Sequence, residues 1–328
     1  MGNDEYLVSI CIPTYNRREY LKKCIESIVS QKAFHEGIVE ICVSDNNSDD
    51  GTEELCIDYS HKYRNFSFVK HNETMVPEYN HAYAVGMGKG KLLKLSNDTL
   101  IYTPDSLEKM CAISEKYNES KPFVFFVNGN PECKGAYGSD DYINGTAKHY
   151  RFEDFLYNIS YWTTFLGSFA FWNEDFKVYN PKIEGYETSL RHVFFVCDIL
   201  KDRDDAMIVS DVLFDNQPVS GKNVSYGLFR VFYSNYLKIL SNYIENDCFD
   251  FLKRDVLTRF FPIWVVRWEF NKGDLRFSEE ENLKGLVVQA CKENDCYNEY
   301  YVAYKKLKKD FVHADIKRKI RKLIPWKK

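Results

Sequence analysis

The sequence predicts an α/β protein: a Rossmann-like, doubly wound, mostly parallel sheet followed by a helical C-terminal extension. Three observations carry this expectation. The apolar runs Leu7–Ile12, Ile38–Val43 and Leu92–Leu95 each break into a polar cluster, at 13–17, 44–52 and 96–99. Helix-periodic segments separate the runs, which is the alternation that builds parallel sheets. Beyond about residue 223, only helix periodicity remains. Ligands of open parallel sheets bind in the crevice beyond the carboxyl ends of the strands, so the three polar clusters point to one site.

Taken in order, strand one is followed directly by a helix over Arg18 to Gln31, where Leu21, Ile25, Ile28 and Val29 form one buried stripe. Ser48, Asp49 and Asp50 can cap a shorter helix over Thr52 to His61, and Phe66 to Val69 reads as a strand. Val76 to Met87 is helical by pattern, and Gly86, Gly88 and Gly90 turn the chain into the strand at Lys91 to Leu95. Thr103-Pro104 is expected to open the next helix as cap and first residue, with Leu107, Met110, Cys111 and Tyr117 inward. Pro122 to Val127 is a further strand, and Asn128 to Thr146 a long loop of the kind that covers a site. An apolar segment, Phe165 to Trp172, and a helix, Thr188 to Lys201, complete the α/β part.

At 328 residues the chain is long enough for one large α/β domain with an appendage. Its 45% hydrophobic and 28% charged residues are ordinary for a soluble globular protein, while 24 Tyr and 24 Phe give it an unusually aromatic core. The ten cysteines include no CxxC pair, and several sit inside apolar patterns. Reduced, buried thiols in a cytosolic protein are therefore expected rather than disulfides or zinc. No window holds the roughly 18 apolar residues of a membrane span.

The formal charge of −4 is uneven. Residues 314–328 hold seven Lys/Arg and one acid, a net +6, which leaves −10 for the rest. An acidic remainder with no basic stripe argues against nucleic acid as a partner. In the tail, Ile316, Ile320, Leu323 and Ile324 recur at helical spacing among the cations. That pattern suits either a helix lying on an anionic membrane surface or a frayed, solvated end.

The strand-end clusters supply candidate chemistry. Asp45 can accept hydrogen bonds from a nucleobase edge or ribose hydroxyls, and Tyr15 can stack a flat base; equally, Asp45 can cap the next turn. Asp98 is a hard oxygen ligand that could hold Mg²⁺ or Mn²⁺ against a diphosphate, since such ions often use one or two carboxylates plus the phosphates; it too could cap a turn.

The stretch Ser9-Ile10-Cys11-Ile12-Pro13-Thr14-Tyr15-Asn16-Arg17, the helix with Leu21, Ile25, Ser27, Ile28 and Gln31, and Val43-Ser44-Asp45-Asn46 with Ser48 and Asp50-Gly51-Thr52 resemble the opening of family-two glycosyltransferases. The resemblance spans roughly residues 6 to 108. It implies the GT-A fold, a nucleotide-sugar donor and inversion at the anomeric carbon. It places the nucleotide on Pro13, Tyr15 and Asp45, beside which Asn16 and Asn97 are further candidates, and the metal on Asp98. The family's Asp-x-Asp falls on Ser96-Asn97-Asp98, so the first acid is missing, and a third acid often found afterwards is Thr99. An arginine that many members place before the Asn of the following helix falls on Tyr79, leaving Lys89, Lys91 and Lys94 as nearby cations that read more simply as solvated lysines.

The segment Gly185 to Phe195 resembles the helix entry where polysaccharide- and O-antigen-building members complete the acceptor site. Where many relatives have Glu-Asp, this chain has Glu187-Thr188. Direct displacement needs a base within about 2.6–3.2 Å of the acceptor hydroxyl. Glu187 is the candidate, with the alternative of a first-turn acid favoured by the helix dipole. His192 stands behind it, and for this histidine a core-facing or capping role is the favoured reading.

The expected organisation is a GT-A catalytic domain over 1–222 (nucleotide-binding half to about 127, acceptor half 128–222), a helical region over 223–313 and the basic tail. The expected function is metal-assisted, inverting transfer from a nucleoside diphosphate sugar, UDP foremost, to a glycan or lipid-linked polysaccharide acceptor. The expected place is cytoplasmic, peripheral at the inner face of the membrane. A catalytically degenerate sugar-nucleotide or glycan-binding protein is the alternative, motivated by Ser96 and Thr99. A dinucleotide-dependent oxidoreductase is discounted because no GxGxxG follows strand one. The aromatic C-terminal helices could pack on the preceding domain or pair two chains.

Overall fold

The computed structural model describes residues 6–127, 148–180, 186–217, 222–224, 227–245, 247–270, 275–277 and 282–323. The chain divides into two units, Met1–Val219 and Ser220–Lys328.

The first unit is built on an eight-stranded sheet whose strands lie side by side in the order 66–70, 39–45, 8–14, 92–95, 169–172, 123–126, 206–209 and 148–150. Strands β1 (Val8–Thr14) and β2 (Val39–Asp45) are buried along their whole lengths, as the near-continuous apolar runs of doubly covered parallel strands require. They pair in parallel from Val8↔Val39 to Thr14↔Asp45, so the two loops that follow leave the sheet side by side. Strand β3 (Phe66–Lys70) flanks β2, and β4 (Leu92–Leu95) flanks β1, both in parallel.

Helices α1 (Arg18–Val29), α2 (Lys32–His35), α3 (Thr52–Lys62) and α4 (Pro77–Met87) connect these strands. On α1, Leu21, Cys24, Ile25 and Ile28 are the buried stripe. After β5 (Leu100–Tyr102) and α5 (Ser106–Lys116) come β6 (Phe123–Phe126), β7 (Lys148–Tyr150), α6 (Phe152–Ile159), β8 (Phe169–Trp172), α7 (Asn173–Tyr179), α8 (Arg191–Arg203), β9 (Ala206–Val209) and β10 (Phe214–Asn216). Strand β8 runs antiparallel between β4 and β6. The sheet is therefore mixed at its centre and parallel where the polar clusters emerge.

The turn from α4 into β4 closes on a buried polar knot. Glu40 Oε1 accepts from Ser9 Oγ and from the Lys89 amide, both at 2.6 Å, while the Gly90 amide donates to Ser9 Oγ at 2.7 Å. A Cβ on Gly90 would lie 2.8 Å from the Ser9 nitrogen and from the Val8 carbonyl carbon. The obstacle is strand backbone, which cannot step aside. Gly90→Ala should therefore cost about 1–3 kcal/mol and lower the melting temperature by several degrees. Calorimetry checks this, and a change within about one degree would contradict the close approach.

Three sequence expectations shift. The helix expected at Thr103-Pro104 begins at Ser106, after Asp105 in the left-handed region at φ 63°. Thr103 is instead held beside β10, its amide donating to Leu213 O and its hydroxyl to Val212 O. The helix expected from Thr188 begins at Arg191, because Ser189 turns left-handed at φ 60°. Glu187 accordingly lies in a separate 3-10 turn, Tyr186–Thr188, and not in the first turn of α8. The expected loop at 128–146 lies outside the described residues.

The second unit is mainly helical, but not wholly so. Its α-helices are α9 (Tyr236–Leu240), α10 (Asp247–Asp255), α11 (Phe261–Phe270), α12 (Leu283–Glu293) and α13 (Tyr297–Leu323), with π-helical turns at Arg230–Asn235 and Val256–Phe260. Two three-residue strands, β11 (Lys222–Val224) and β12 (Leu275–Phe277), pair in parallel where only helices were expected. Three residues are too few for a period-2 signal to rise above a helical background. On α13 the helical backbone reaches Leu323; the tail side chains on which a membrane-facing surface would depend lie outside the described residues. No described helix is long and apolar enough to cross a membrane. The nine described cysteines are free and buried.

Candidate functional site

The loops after β1 and β2 are stitched together by short polar side chains. Asn16, left-handed at φ 50°, donates its amide to Ser48 Oγ at 2.8 Å and accepts the Asp49 amide on Oδ1 at 2.9 Å. Its neighbour Arg18 donates its amide to Asp50 Oδ2 at 2.8 Å. The Asn46 amide reaches Thr14 O at 3.0 Å. Asn46 also clamps Met75 through both ends of its carboxamide, each at 2.9 Å. This carries the start of α4 to the same place.

Asp45 is fully buried at the end of β2. Its Oδ1 accepts from both the amide and the hydroxyl of Ser48, so the turn-capping reading is correct for one oxygen. Oδ2 is buried with no hydrogen-bond partner. A carboxylate oxygen in that state carries an unmet demand for a donor. Burial pushes the Asp45 carboxyl above its ordinary value, opposed by the Ser48 bonds and by Lys70. Tyr15 stands at the rim with its side chain 47% exposed, free to stack a ligand. Pro13 is buried at the point where β1 has run past its last pairing with β4, Cys11↔Leu95.

Asp98 is brought to the same crevice from β4. Its Oδ2 accepts from Thr14 Oγ1 at 3.0 Å and its Oδ1 from Arg17 Nη1 at 3.1 Å. The residues around it differ in use. Ser96 is fully buried, and its hydroxyl accepts from Tyr102 OH at 2.9 Å, so the position of the missing acid belongs to the core. Asn97 is half-buried, and its carbonyl takes the Leu100 amide at 3.1 Å. Among the described residues, no group of three or more His, Cys, Asp or Glu could cage an ion. One hard carboxylate with a hydroxyl beside it fits a divalent cation that takes its remaining ligands from phosphate, and does not fit an ion held by protein alone.

Lys94 corrects its expectation as a solvated lysine. It is fully buried, donating Nζ to Leu95 O at 2.7 Å and to Gly167 O, with the Phe214 ring centroid at 4.7 Å. Burial pulls its pKa down to about 7. A lone lysine inside Leu-Leu-Lys-Leu was the available signal, since a strand buried on both faces leaves no solvent side for it to reach. Tyr79, at the arginine position, is 48% exposed. The neighbouring Asn80 is buried, holding Ser44 Oγ at 2.6 Å and Ser44 O at 3.1 Å.

The acceptor-side candidates separate. His192 is half-buried on α8, its Nε2 3.1 Å from Thr164 O and its ring tilted against Phe169. Desolvation lowers its pKa to about 4, against the Thr164 carbonyl, which raises it. His192 lines a cavity of about 30 Å³ with His81, Arg191 and Glu78. Glu78 went unnoticed in the sequence because an acid beside Pro77 reads as an exposed first-turn residue. Here it is buried and its carboxyl is raised by that burial, against the lowering effect of its own backbone N–H and of Ser189. Glu187 is exposed. Pro13, Tyr15, Asn16, Asp45 and Asp98 thus gather at the strand ends and the loops that follow them, while Glu187 lies on the segment leading into α8 and His192 in its first turn.

This geometry can be set beside known proteins. Abequosyltransferase RfbV of Salmonella typhimurium is 36% identical over 124 residues, 37% of this chain and 35% of that protein. An uncharacterised glycosyltransferase of Methanocaldococcus jannaschii, MJ1057, is 28% identical over 157 residues, 47% of this chain and 53% of its own. The chain thus spans about a third to a half of the length of these relatives. Among solved structures, S. aureus TarS 1–349 in complex with UDP-GlcNAc superposes with a TM-score of 0.59 at 14% identity, covering 94% of this chain and 92% of that one. Mannosyltransferase PcManGT from Pyrobaculum calidifontis, in complex with GDP-Man and Mn²⁺, does so at 0.55 and 13% identity, covering 92% and 87%. These likenesses establish the fold, a central mostly parallel sheet of the GT-A kind. The family model for glycosyl transferase family 2 matches residues 9–176, half of the chain, spanning every strand-end cluster described above. The chain belongs to glycosyl transferase family 2.

Proposed function

We propose that the protein transfers a sugar from a nucleoside diphosphate donor, UDP foremost, to a glycan or lipid-linked polysaccharide acceptor, with inversion and by direct displacement. The observation that carries the donor half is the unpartnered Asp45 Oδ2. With an exposed tyrosine on the neighbouring loop, it asks for a planar ligand with an edge N–H, which uracil presents. Two proteins sharing the fold were captured with UDP-GlcNAc and with GDP-Man and Mn²⁺, in keeping with a nucleotide-sugar donor.

Within this reading Tyr15 stacks the base and Asp45 accepts its N–H, with the stitched loops carrying both side chains. Asp98 with Thr14 would hold a divalent cation, Mg²⁺ or Mn²⁺, which when bound neutralises charge gathering on the leaving diphosphate. Glu187 removes the proton of the acceptor hydroxyl as it attacks the anomeric carbon. No covalent intermediate with the protein forms.

Release of UDP from a panel of UDP-sugars, with and without Mn²⁺ and candidate acceptors, tests the activity. Absence of turnover in every combination, with Asp98→Ala indistinguishable from the parent, would sink the enzyme and leave a sugar-nucleotide-binding protein. That second reading is favoured by one observation, the burial of Ser96 where a metal-binding acid is expected. In the same assay, Glu187→Gln should lower transfer by about 10²- to 10⁴-fold, the usual share of a general base. His192→Asn should lower the melting temperature while leaving the pH–rate profile in place. The reverse pattern would assign the base to His192.

A further inference from the structure

Asp98 is 3% exposed and its two oxygens face different partners, Thr14 on one side and the Arg17 guanidinium on the other. The Arg17 side chain is 41% exposed, so one member of the ion pair is fixed and the other is free to swing. An incoming cation that is to reach Oδ1 must take the place of Nη1. Arg18, next in the chain, points elsewhere, with Nε on Gly51 O at 3.2 Å.

We propose that Arg17 and a divalent cation are alternative partners of Asp98: the guanidinium holds the carboxylate in the nucleotide-free protein, and a cation arriving with a nucleoside diphosphate displaces it toward the anionic donor. A positive charge 3.1 Å from the carboxylate repels a bare divalent ion. The diphosphate brings negative charge that cancels this repulsion and gives the released guanidinium a new acceptor. Cation and nucleotide therefore bind with positive coupling, although no cage of three or more protein ligands is present among the described residues. The nucleotide arm rests on the donor reading above, whereas the nucleotide-free arm does not.

The test is titration of the purified full-length protein with Mn²⁺, reading free ion by electron paramagnetic resonance, with and without UDP. Without UDP, Arg17→Gln should bind Mn²⁺ at least about fivefold more tightly than the parent, the size of a partly exposed ion pair. Arg18→Gln should stay within about twofold of the parent. With UDP the order should close or reverse, because the parent regains Arg17 on the diphosphate. Equal nucleotide-free affinities of Arg17→Gln and the parent would overturn the proposal, as would an equal gain in Arg18→Gln, which would signal bulk charge only. Adding Asp98→Asn to Arg17→Gln must abolish the tighter mode; its survival would place the ion elsewhere and also overturn the proposal. Failure of UDP to bind any variant would count against the donor reading while leaving the nucleotide-free comparison intact.

Discussion

Asp45→Asn is expected to weaken UDP binding by about 10- to 100-fold, the range for losing a hydrogen bond to a charged acceptor. The amide keeps an oxygen for Ser48 but turns an N–H toward the site of Oδ2, so a donor meets the donor of the base. Calorimetric titration with UDP reads the effect, and unchanged affinity would remove Asp45 from the nucleotide site.

The pH dependence gives a second signature. Burial raises the folded-state pKa of Asp45 above that of the unfolded chain. Between the two values the folded protein keeps a proton that the unfolded chain has released, so this group's contribution to stability falls as pH rises through that window and is constant above it. UDP affinity runs the other way, because only the ionised carboxylate accepts two donors. It should increase through the raised pKa and then level off, and Asp45→Asn should flatten both curves. Titrations and melting curves between about pH 4 and pH 7 would show this; a parent whose UDP affinity is level across that range would contradict it.

Lys94→Met carries the other large expected effect. The folded-state value of about 7 lies well below the 10.5 of a free lysine. Above about pH 7 the unfolded chain binds a proton that the folded protein does not, so stability should rise with pH up to the unfolded value. The limiting slope is about 1.4 kcal/mol per pH unit. Well below pH 7 the ammonium is buried with its full desolvation cost. The methionine variant has no proton to bind, so its melting temperature relative to the parent should be highest near pH 6 and decline steadily toward pH 9.5. A difference that stays constant with pH would mean that Lys94 does not titrate in this window. The variant also loses the link from β4 to Gly167 O, and with it part of the support for the strand end that carries Asp98.

Much of the donor half of the site was legible in sequence because its signals are local. Pro13 to Arg17 and Ser44 to Thr52 announce themselves as polar breaks after apolar runs, and parallel strands have one end at which such breaks collect. What those residues do to one another was not legible. Asp45 looked either like a cap or like a ligand, and it is a cap with one oxygen and unsatisfied with the other, a division that only the position of Ser48 reveals. Arg17 stood in the motif without a role, because its partner is 81 residues away. The acceptor half was harder still. Glu187 and His192 were chosen for their chemistry, yet the left-handed Ser189 breaks the helix between them, and a single residue's φ leaves little trace in a hydrophobic pattern.

By itself, the sequence determined the alternation of strands and helices through the first half of the α/β unit, the end of the sheet at which a ligand must lie, and the family. These follow from periodicities and turn residues that act over a few positions along the chain. Only the tertiary structure decided which carboxylate oxygen lacks a partner, that Arg17 covers Asp98, that Lys94 is buried and that His192 packs against Phe169 beside Thr164. Each of these depends on what a side chain meets from a distant segment, and therefore on the desolvation and pairing that folding alone imposes.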